Sequence, residues 1–175
     1  MRKDSMINGT VVELSYAEHR ATWDRWYADF AFRPSTRQFP GIQEPTSSLT
    51  WSLDALNDDP GCIKLDQFTA TVEQAIADCT PEGGSVLVLD WQHLCYRVRP
   101  DQGIEGEPFR WPLSPYPDGD YYIYLAEDFS FGSFGHPWEH TVCLFGTELL
   151  AQASRPVTTI LGDPVRRDGH AATNP

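Results

Sequence analysis

Apolar residues recur at helical spacing in three stretches of this chain. The first helix is predicted to begin at a capping box formed by Ser15 and Glu18, and the second at Asp59 and Pro60, which are favoured at helix starts. The stretch "TELLAQAS" predicts a third helix, which Pro156 should break or kink. The apolar stripes of the first two helices consist of Trp23, Trp26, Tyr27 and Phe30, and of Leu65, Phe68, Val72, Ile76 and Cys79.

Shorter stretches with apolar runs or with alternating apolar residues predict β-strands. "SVLVLD" is a continuous apolar run typical of a buried strand, and "LCYRVR" follows it as a hairpin partner. In "YPDGDYYIYLA", Tyr121 and Ile123 are expected on one face of the strand, with Tyr122 and Tyr124 on the other. Further strands are predicted in "SSLTWSL", in "EDFSFGSFG" and in "TVCLFG".

The order of these elements predicts a single α+β domain over residues 15–165. We expect a mainly antiparallel sheet of about five to six strands with two to three helices packed on one face. This arrangement follows because the connections between strands are long early in the chain and hairpin-like later. Residues 1–14 are predicted to be a flexible N-terminal segment, and residues 166–175 a frayed C-terminal tail.

The charge of the chain argues against a nucleic-acid partner. The 175 residues include 13 Lys and Arg and 25 Asp and Glu, which gives a formal net charge of −12. Such a chain repels phosphate backbones. The stretch from Trp111 to Ser154 contains acidic residues and no Lys or Arg, so it would favour a basic protein or a cationic small molecule. An ordinary solubilising surface is the alternative interpretation.

The sequence also predicts a compartment. No cysteine belongs to a Cys-x-x-Cys pair, so we expect reduced thiols. No apolar run is long enough for a secretory signal or a membrane span, so we expect a cytoplasmic protein that does not enter a membrane. Phosphate-binding and dinucleotide-binding glycine motifs are absent, and we predict no cofactor.

His136, Glu139 and His140 form an H-x-x-E-H pattern, which on a helix can hold a zinc ion beside a catalytic carboxylate. Pro137 lies inside the pattern, and the strand-like stretch "TVCLF" follows it at once. Both features argue against a helix, and without one the two histidines need not converge. We therefore predict no metal site, and we interpret the segment as a bent aromatic loop with His140 at a strand position.

Two kinds of site remain open. Acid–base chemistry could use His136 or His93 with Glu139 or Asp90, although each of these residues also has an ordinary structural role. A binding surface is indicated by residues 109–145, where half of the aromatic residues alternate with acids. Tyrosine and tryptophan dominate binding hot spots, and aromatic rings beside carboxylates suit cations. The candidate binding residues are Trp111, Tyr116, Asp118, Asp120, Tyr122, Tyr124, Trp138 and Arg97, the last as an anchor for an anionic group.

The stretches "LDWQHLCYRVRP" and "WPLSPYPDGDYYIYLAEDFSFGSFGHPWEHTVCLFGTELL" resemble a bacterial family catalogued as domain of unknown function 2716. The likeness runs from about Tyr16 to about Arg167, and its most specific blocks are "YPDGDYYIYL" and "FGHPWE". The resemblance implies one intact bacterial domain and brings no activity with it. The family pattern ends at Glu139 and does not require His140, which also argues against a zinc site.

Two functions from different classes follow. The first is a non-enzymatic recognition module that binds a basic partner, as toxin-immunity proteins do by general analogy. The second is a small metal-independent enzyme that acts on an aromatic or cationic small molecule. An enclosed pocket lined by His93, Asp90, Tyr122 and Glu139 would favour the enzyme. A flat acidic face with exposed Trp and Tyr would favour the recognition module.

Overall fold

A computed structural model describes residues 10–103, 107 and 109–172. In this part of the chain, nine antiparallel strands form one sheet in the order β1-β4-β3-β5-β6-β7-β2-β8-β9. The prediction of five to six strands is therefore wrong, because the shortest strands span only two or three residues and show no periodicity. The strands are β1 (Val11–Glu13), β2 (Ser48–Ser52), β3 (Val86–Asp90), β4 (Tyr96–Val98), β5 (Tyr122–Ala126), β6 (Gly132–His136), β7 (Thr141–Phe145), β8 (Arg166–Arg167) and β9 (His170–Ala171).

Helices cover both faces of this sheet. Helices α2 (Ile63–Cys79) and α3 (Thr147–Leu161) pack on one face, and α1 (Tyr16–Asp29) packs with the following segment on the other. The prediction of helices on one face is therefore wrong. Strands β3, β5 and β7 are apolar on both sides, and such strands are stable only when both faces are covered.

The helix ends follow local chemistry. Ser15 and Glu18 form the predicted capping box of α1. A carboxylate oxygen of Asp59 accepts the N–H of Leu65 at 3.0 Å near the start of α2. Of the break or kink predicted at Pro156, the break is wrong, because helix α3 continues through this residue to Leu161. A proline costs an interior helix position about 3 kcal/mol, and the buried stripe of α3 compensates for this cost. That stripe consists of Leu149, Ala153, Val157 and Leu161.

Several connections meet at one end of the sheet. The register places Asp90 opposite Tyr122, Tyr122 opposite Gly135, and Ser52 opposite Thr141. Strands β2, β3 and β6 therefore end where β5 and β7 begin. This end, called the sheet end below, is formed by the connections 53–62, 91–95, 114–121 and 137–140. Among the described residues, no helix has the length and apolar character that a membrane crossing requires.

Candidate functional site

Asp90, His93 and Asp120 meet at the sheet end. Nδ1 of His93 lies 3.1 Å from Oδ1 of Asp90 and 3.5 Å from Oδ2 of Asp120. The ladder between β3 and β5 positions both carboxylates, because Asp90 pairs with Tyr122 and Asp120 lies two residues before that tyrosine. The side chain of His93 is 63% exposed, so the cluster is open to solvent.

The charges of this cluster are coupled. Burial raises the pKa of Asp90, the contact with His93 opposes this rise, and the charge of Asp120 adds to it. The hydrogen bond to Asp90 raises the pKa of His93 above its ordinary value, and Asp120 acts in the same direction. Two carboxylates thus share one imidazole, and no Lys or Arg pairs with either of them in the described part of the chain.

A row of aromatic side chains lies beside the cluster. The buried ring of Tyr121 packs between Trp91 and Trp138, at centroid distances of 5.5 and 5.2 Å. The indole N–H of Trp91 donates to the hydroxyl of Tyr27 at 3.2 Å. Tyr27 and Trp138 are 41% and 42% exposed, so both ends of the row reach solvent. This aromatic row of Tyr27, Trp91, Tyr121 and Trp138 can offer ring faces or edges to a ligand.

His136 is fully buried behind the aromatic row. Its Nδ1 accepts the backbone N–H of Glu139 at 3.1 Å, while Nε2 has no hydrogen-bond partner among the described residues. Gly41 closes over the ring, since a Cβ at this position would lie 3.2 Å from Nε2. Burial lowers the pKa of His136 to about 4, the charge of Glu139 opposes this shift and that of Arg166 adds to it, so the imidazole is neutral at pH 7.

Glu139 forms an ion pair with Arg166. Its two carboxylate oxygens accept from Arg166 at 2.6 and 3.0 Å, and Thr141 Oγ1 donates to Oε2 at 2.8 Å. Arg166 also binds Glu44 at 2.7 to 3.1 Å, and the Glu44 side chain is only 1% exposed. Sequence reasoning missed Glu44 and Arg166, because they lie 122 residues apart and in segments without a periodic pattern.

His140 has partners of its own. Its Nδ1 lies 3.0 Å from Oδ1 of Asp54, and its Nε2 lies 3.4 Å from the hydroxyl of Tyr116. The residue has a left-handed φ of 58° and closes the turn between β6 and β7, because its N–H donates to the carbonyl of His136. His140 is thus a turn residue and not a strand residue. The residues of the H-x-x-E-H pattern occupy three separate environments.

The predicted binding residues fall into two groups. Trp111 stacks on Tyr124 at 5.1 Å on the face that α2 covers. Arg97 bridges Glu18 and Glu127 at 2.7 and 2.6 Å, so its guanidinium already has anionic partners. The structure brings the other predicted residues together at the sheet end, namely Tyr116, Asp118, Asp120, Tyr122 and Trp138.

Three surface cavities within the described part of the chain involve other residues. One, of about 750 Å³, is lined by Arg25, Asp29 and Asp128 among others. Cavities of about 500 and 300 Å³ lie beside Cys79 and beside Phe39. The residues that line these three cavities do not include any of the four that were expected to line an enzyme pocket, which are Asp90, His93, Tyr122 and Glu139.

The fold and this site define an α+β protein with one antiparallel sheet and an acidic, aromatic sheet end. Residues 13–150 match the family described as "Protein of unknown function (DUF2716)", and the chain belongs to this family, as the sequence predicted. A relative in Bacillus subtilis (strain 168), "Uncharacterized protein YxiI", is 36% identical over 87 residues, which are 49% of this chain and 54% of the relative. The match thus spans about half of that relative. No solved structure matches the chain significantly.

Proposed function

We propose that this protein is a non-enzymatic recognition module that binds a basic protein or a cationic small molecule at the sheet end. The observation that carries this proposal is the partly exposed Trp138, whose ring packs on Tyr121 beside the carboxylates of Asp90 and Asp120. Ammonium and guanidinium groups bind to aromatic rings and to carboxylates, and this surface presents both.

The charge of the surrounding connections supports the proposal. Glu139 is the one acid of these connections that pairs with an arginine in the described residues, through Arg166. On one side, this surface ends at the segment that contains Arg33 and Arg37, where the backbone of Ser35 hydrogen-bonds the hydroxyl of Tyr121. A partner with a compact positive charge could bind the acidic surface without approaching these arginines. The four connections contain no Lys or Arg, and their acids are Asp54, Asp58, Asp59, Asp118, Asp120 and Glu139.

The geometry of the histidines also favours binding over catalysis. The ring of His136 is sealed from solvent, and its Nδ1 is occupied by a backbone N–H. The carboxylate of Glu139 is held by Arg166. Both groups thus already have partners within the fold, whereas Trp138 is accessible to a partner.

Binding of two probes tests the proposal. Tetramethylammonium and a peptide of alternating Arg and Gly would be titrated by calorimetry at low salt and at 0.3 M salt. We expect peptide binding that weakens with salt, because surface charges are screened. Trp138→Ala should lower the affinity for both probes by roughly 2- to 30-fold, which corresponds to a cation–π energy of about 0.5–2 kcal/mol. Asp120→Asn should also lower the affinity for the peptide.

Matched controls come from α1. Tyr16 is 81% exposed, and the side chain of Asp24 is 74% exposed, and both lie outside the sheet end. Tyr16→Ala and Asp24→Asn should leave both affinities unchanged. If Trp138→Ala and Asp120→Asn bind the probes as the unaltered protein does, the recognition surface is not at the sheet end.

One observation favours a second function, a small metal-independent enzyme. Asp90 and His93 form a carboxylate–imidazole contact of 3.1 Å, and the ring is exposed to solvent. Such a pair can take a proton from an aromatic or cationic small molecule. Time-resolved NMR of a bound probe separates the two functions, because a recognition module leaves the probe chemically unchanged. Turnover that His93→Ala abolishes and His140→Ala retains would favour the enzyme.

A further inference from the structure

Three metal-ligand atoms converge at the sheet end. Nδ1 of His93, a carboxylate oxygen of Asp90 and one of Asp120 all lie within 4.8 Å of one another. The two contacts of Nδ1, at 3.1 and 3.5 Å, equal the separation of neighbouring ligands around a zinc ion. With metal–ligand distances of about 2.0–2.2 Å, tetrahedral or octahedral neighbours stand about 3–3.5 Å apart. The three atoms can therefore bind one ion with small movements.

The chemistry of the imidazole points to a ligand. A neutral ring nitrogen without a proton is an acceptor, and it would repel the two carboxylate oxygens that Nδ1 of His93 faces. Nδ1 can hold this position either with a proton between itself and the carboxylates or with a metal ion there. A metal ion can bind the imidazole and both carboxylates at the same time, whereas a single N–H would have to be shared between two carboxylate acceptors.

Hydrogen bonds with the backbone orient these ligands in the absence of an ion. Oδ1 of Asp120 accepts the N–H of Tyr121 at 2.8 Å, which leaves Oδ2 to face His93. The N–H of His93 donates to the carbonyl of Asp90 at 3.1 Å, and Gln92 takes a left-handed φ of 63° within this turn. Outer hydrogen bonds of this kind fix ligand orientation in metal sites.

We propose that Asp90, His93 and Asp120 form a binding site for a divalent transition-metal ion such as Zn²⁺. One imidazole and two carboxylates suit zinc, whereas magnesium and calcium prefer oxygen ligands alone. Because the His93 side chain is 63% exposed, solvent can complete the coordination. The site shares both carboxylates with the proposed recognition surface, but it does not depend on that function.

Calorimetry of the untagged full chain with zinc chloride tests the site. We expect one ion per chain, a loss of measurable binding in His93→Ala, and much weaker binding in Asp120→Asn. In both variants the zinc affinity should fall by more than the roughly 10- to 100-fold that is caused by loss of an outer hydrogen-bond partner. His140→Ala is the matched control, since His140 also contacts a carboxylate, that of Asp54 at 3.0 Å, but has no third ligand in the described residues. An unchanged affinity in His93→Ala would overturn the proposal.

A second measurement locates the ion without any variant. Paramagnetic Mn²⁺ should broaden the amide signals of residues 90–93 and 119–121 at substoichiometric concentration. Broadening confined to residues 54 and 140, or none at equimolar Mn²⁺ together with no zinc binding, would refute the site. Peptide binding without metal binding would overturn the metal site and leave the recognition function standing. Metal binding without peptide binding would do the reverse.

Discussion

Replacement of Glu73 by glutamine should stabilise the protein above neutral pH. Glu73 lies on α2 and faces the fully buried Tyr124, whose hydroxyl is 3.3 Å from Oε1 and also donates to the carbonyl of Leu113. One hydroxyl proton cannot serve two acceptors. The hydroxyl of Tyr124 therefore satisfies the Glu73 carboxylate only in part. Burial raises the pKa of Glu73 to about 7, although the hydrogen bond from Tyr124 opposes the rise.

The size of the effect follows from this pKa. At roughly 1.36 kcal/mol per pKa unit, a rise from 4.5 to about 7 corresponds to about 3 kcal/mol of unfolding free energy. Because Glu73 is partly in contact with solvent, we expect a contribution of about 2 kcal/mol. Because the folded pKa lies above the unfolded one, the folded state binds the proton more tightly between these values. The favourable contribution is complete below pH 4.5 and is lost as the pH rises to about 7.

Urea denaturation followed by circular dichroism at pH 5 and pH 8 measures this difference. The amide in Glu73→Gln does not titrate and can donate to the hydroxyl of Tyr124. Its free energy of unfolding relative to the unaltered protein should therefore rise by about 2 kcal/mol from pH 5 to pH 8. The exposed Glu82 provides the control, because Glu82→Gln should show little change between the two pH values. An equal difference at both pH values for Glu73→Gln would refute the reasoning.

Two further predictions concern the groups around Glu139. Arg166→Met should lower the free energy of unfolding by about 3–5 kcal/mol in urea, because the buried Glu44 and Glu139 lose their cation, whereas Arg167→Met at the exposed neighbouring position should change it little. The pKa of His136 is lowered from 6.5 to about 4, so its contribution to stability is present above pH 6.5 and is lost as the pH falls to about 4. In His136→Asn, the free energy of unfolding should no longer show this decrease between pH 6.5 and pH 4. The same pH dependence in the variant and in the unaltered protein would contradict the prediction.

Local patterns predicted the elements whose signals lie within a few residues. The capping box at Ser15 requires only a residue three positions later, and the hairpin of β3 and β4 requires only two apolar runs in succession. The number of strands and the cover on both faces were predicted wrongly. Strand β8 spans two residues and is defined by its pairing with β2 and β9, which no local pattern reveals. The apolar character of both faces of β3 was the available signal for helices on both sides.

In the candidate site, too, local contacts could be predicted and contacts between distant residues could not. Asp90 and His93 belong to one turn, and their contact could be anticipated from a spacing of three residues. Asp120 joins them only through the register of β3 against β5, in which Asp90 stands opposite Tyr122. Strand register depends on the packing of the whole sheet, so a sequence pattern does not define it. For the same reason, the partner of Glu139 had to be found in the structure.

The two groups of carboxylates near the sheet end differ in how the fold neutralises them. Glu44 is almost completely buried and Glu139 nearly so, and Arg166 binds both, because an unpaired charge at such a depth would be strongly destabilising. Asp90 and Asp120 are buried to almost the same degree, with 17% and 19% of their side chains exposed against 13% for Glu139, but their partner is a single exposed imidazole. The β3–β5 ladder brings these two carboxylates together, and no Lys or Arg of the described residues pairs with them to offset their mutual repulsion. A cation that binds to both, whether a metal ion or the positive group of a partner, would add to the attraction that His93 supplies, and this is the physical reason to look for function at the sheet end.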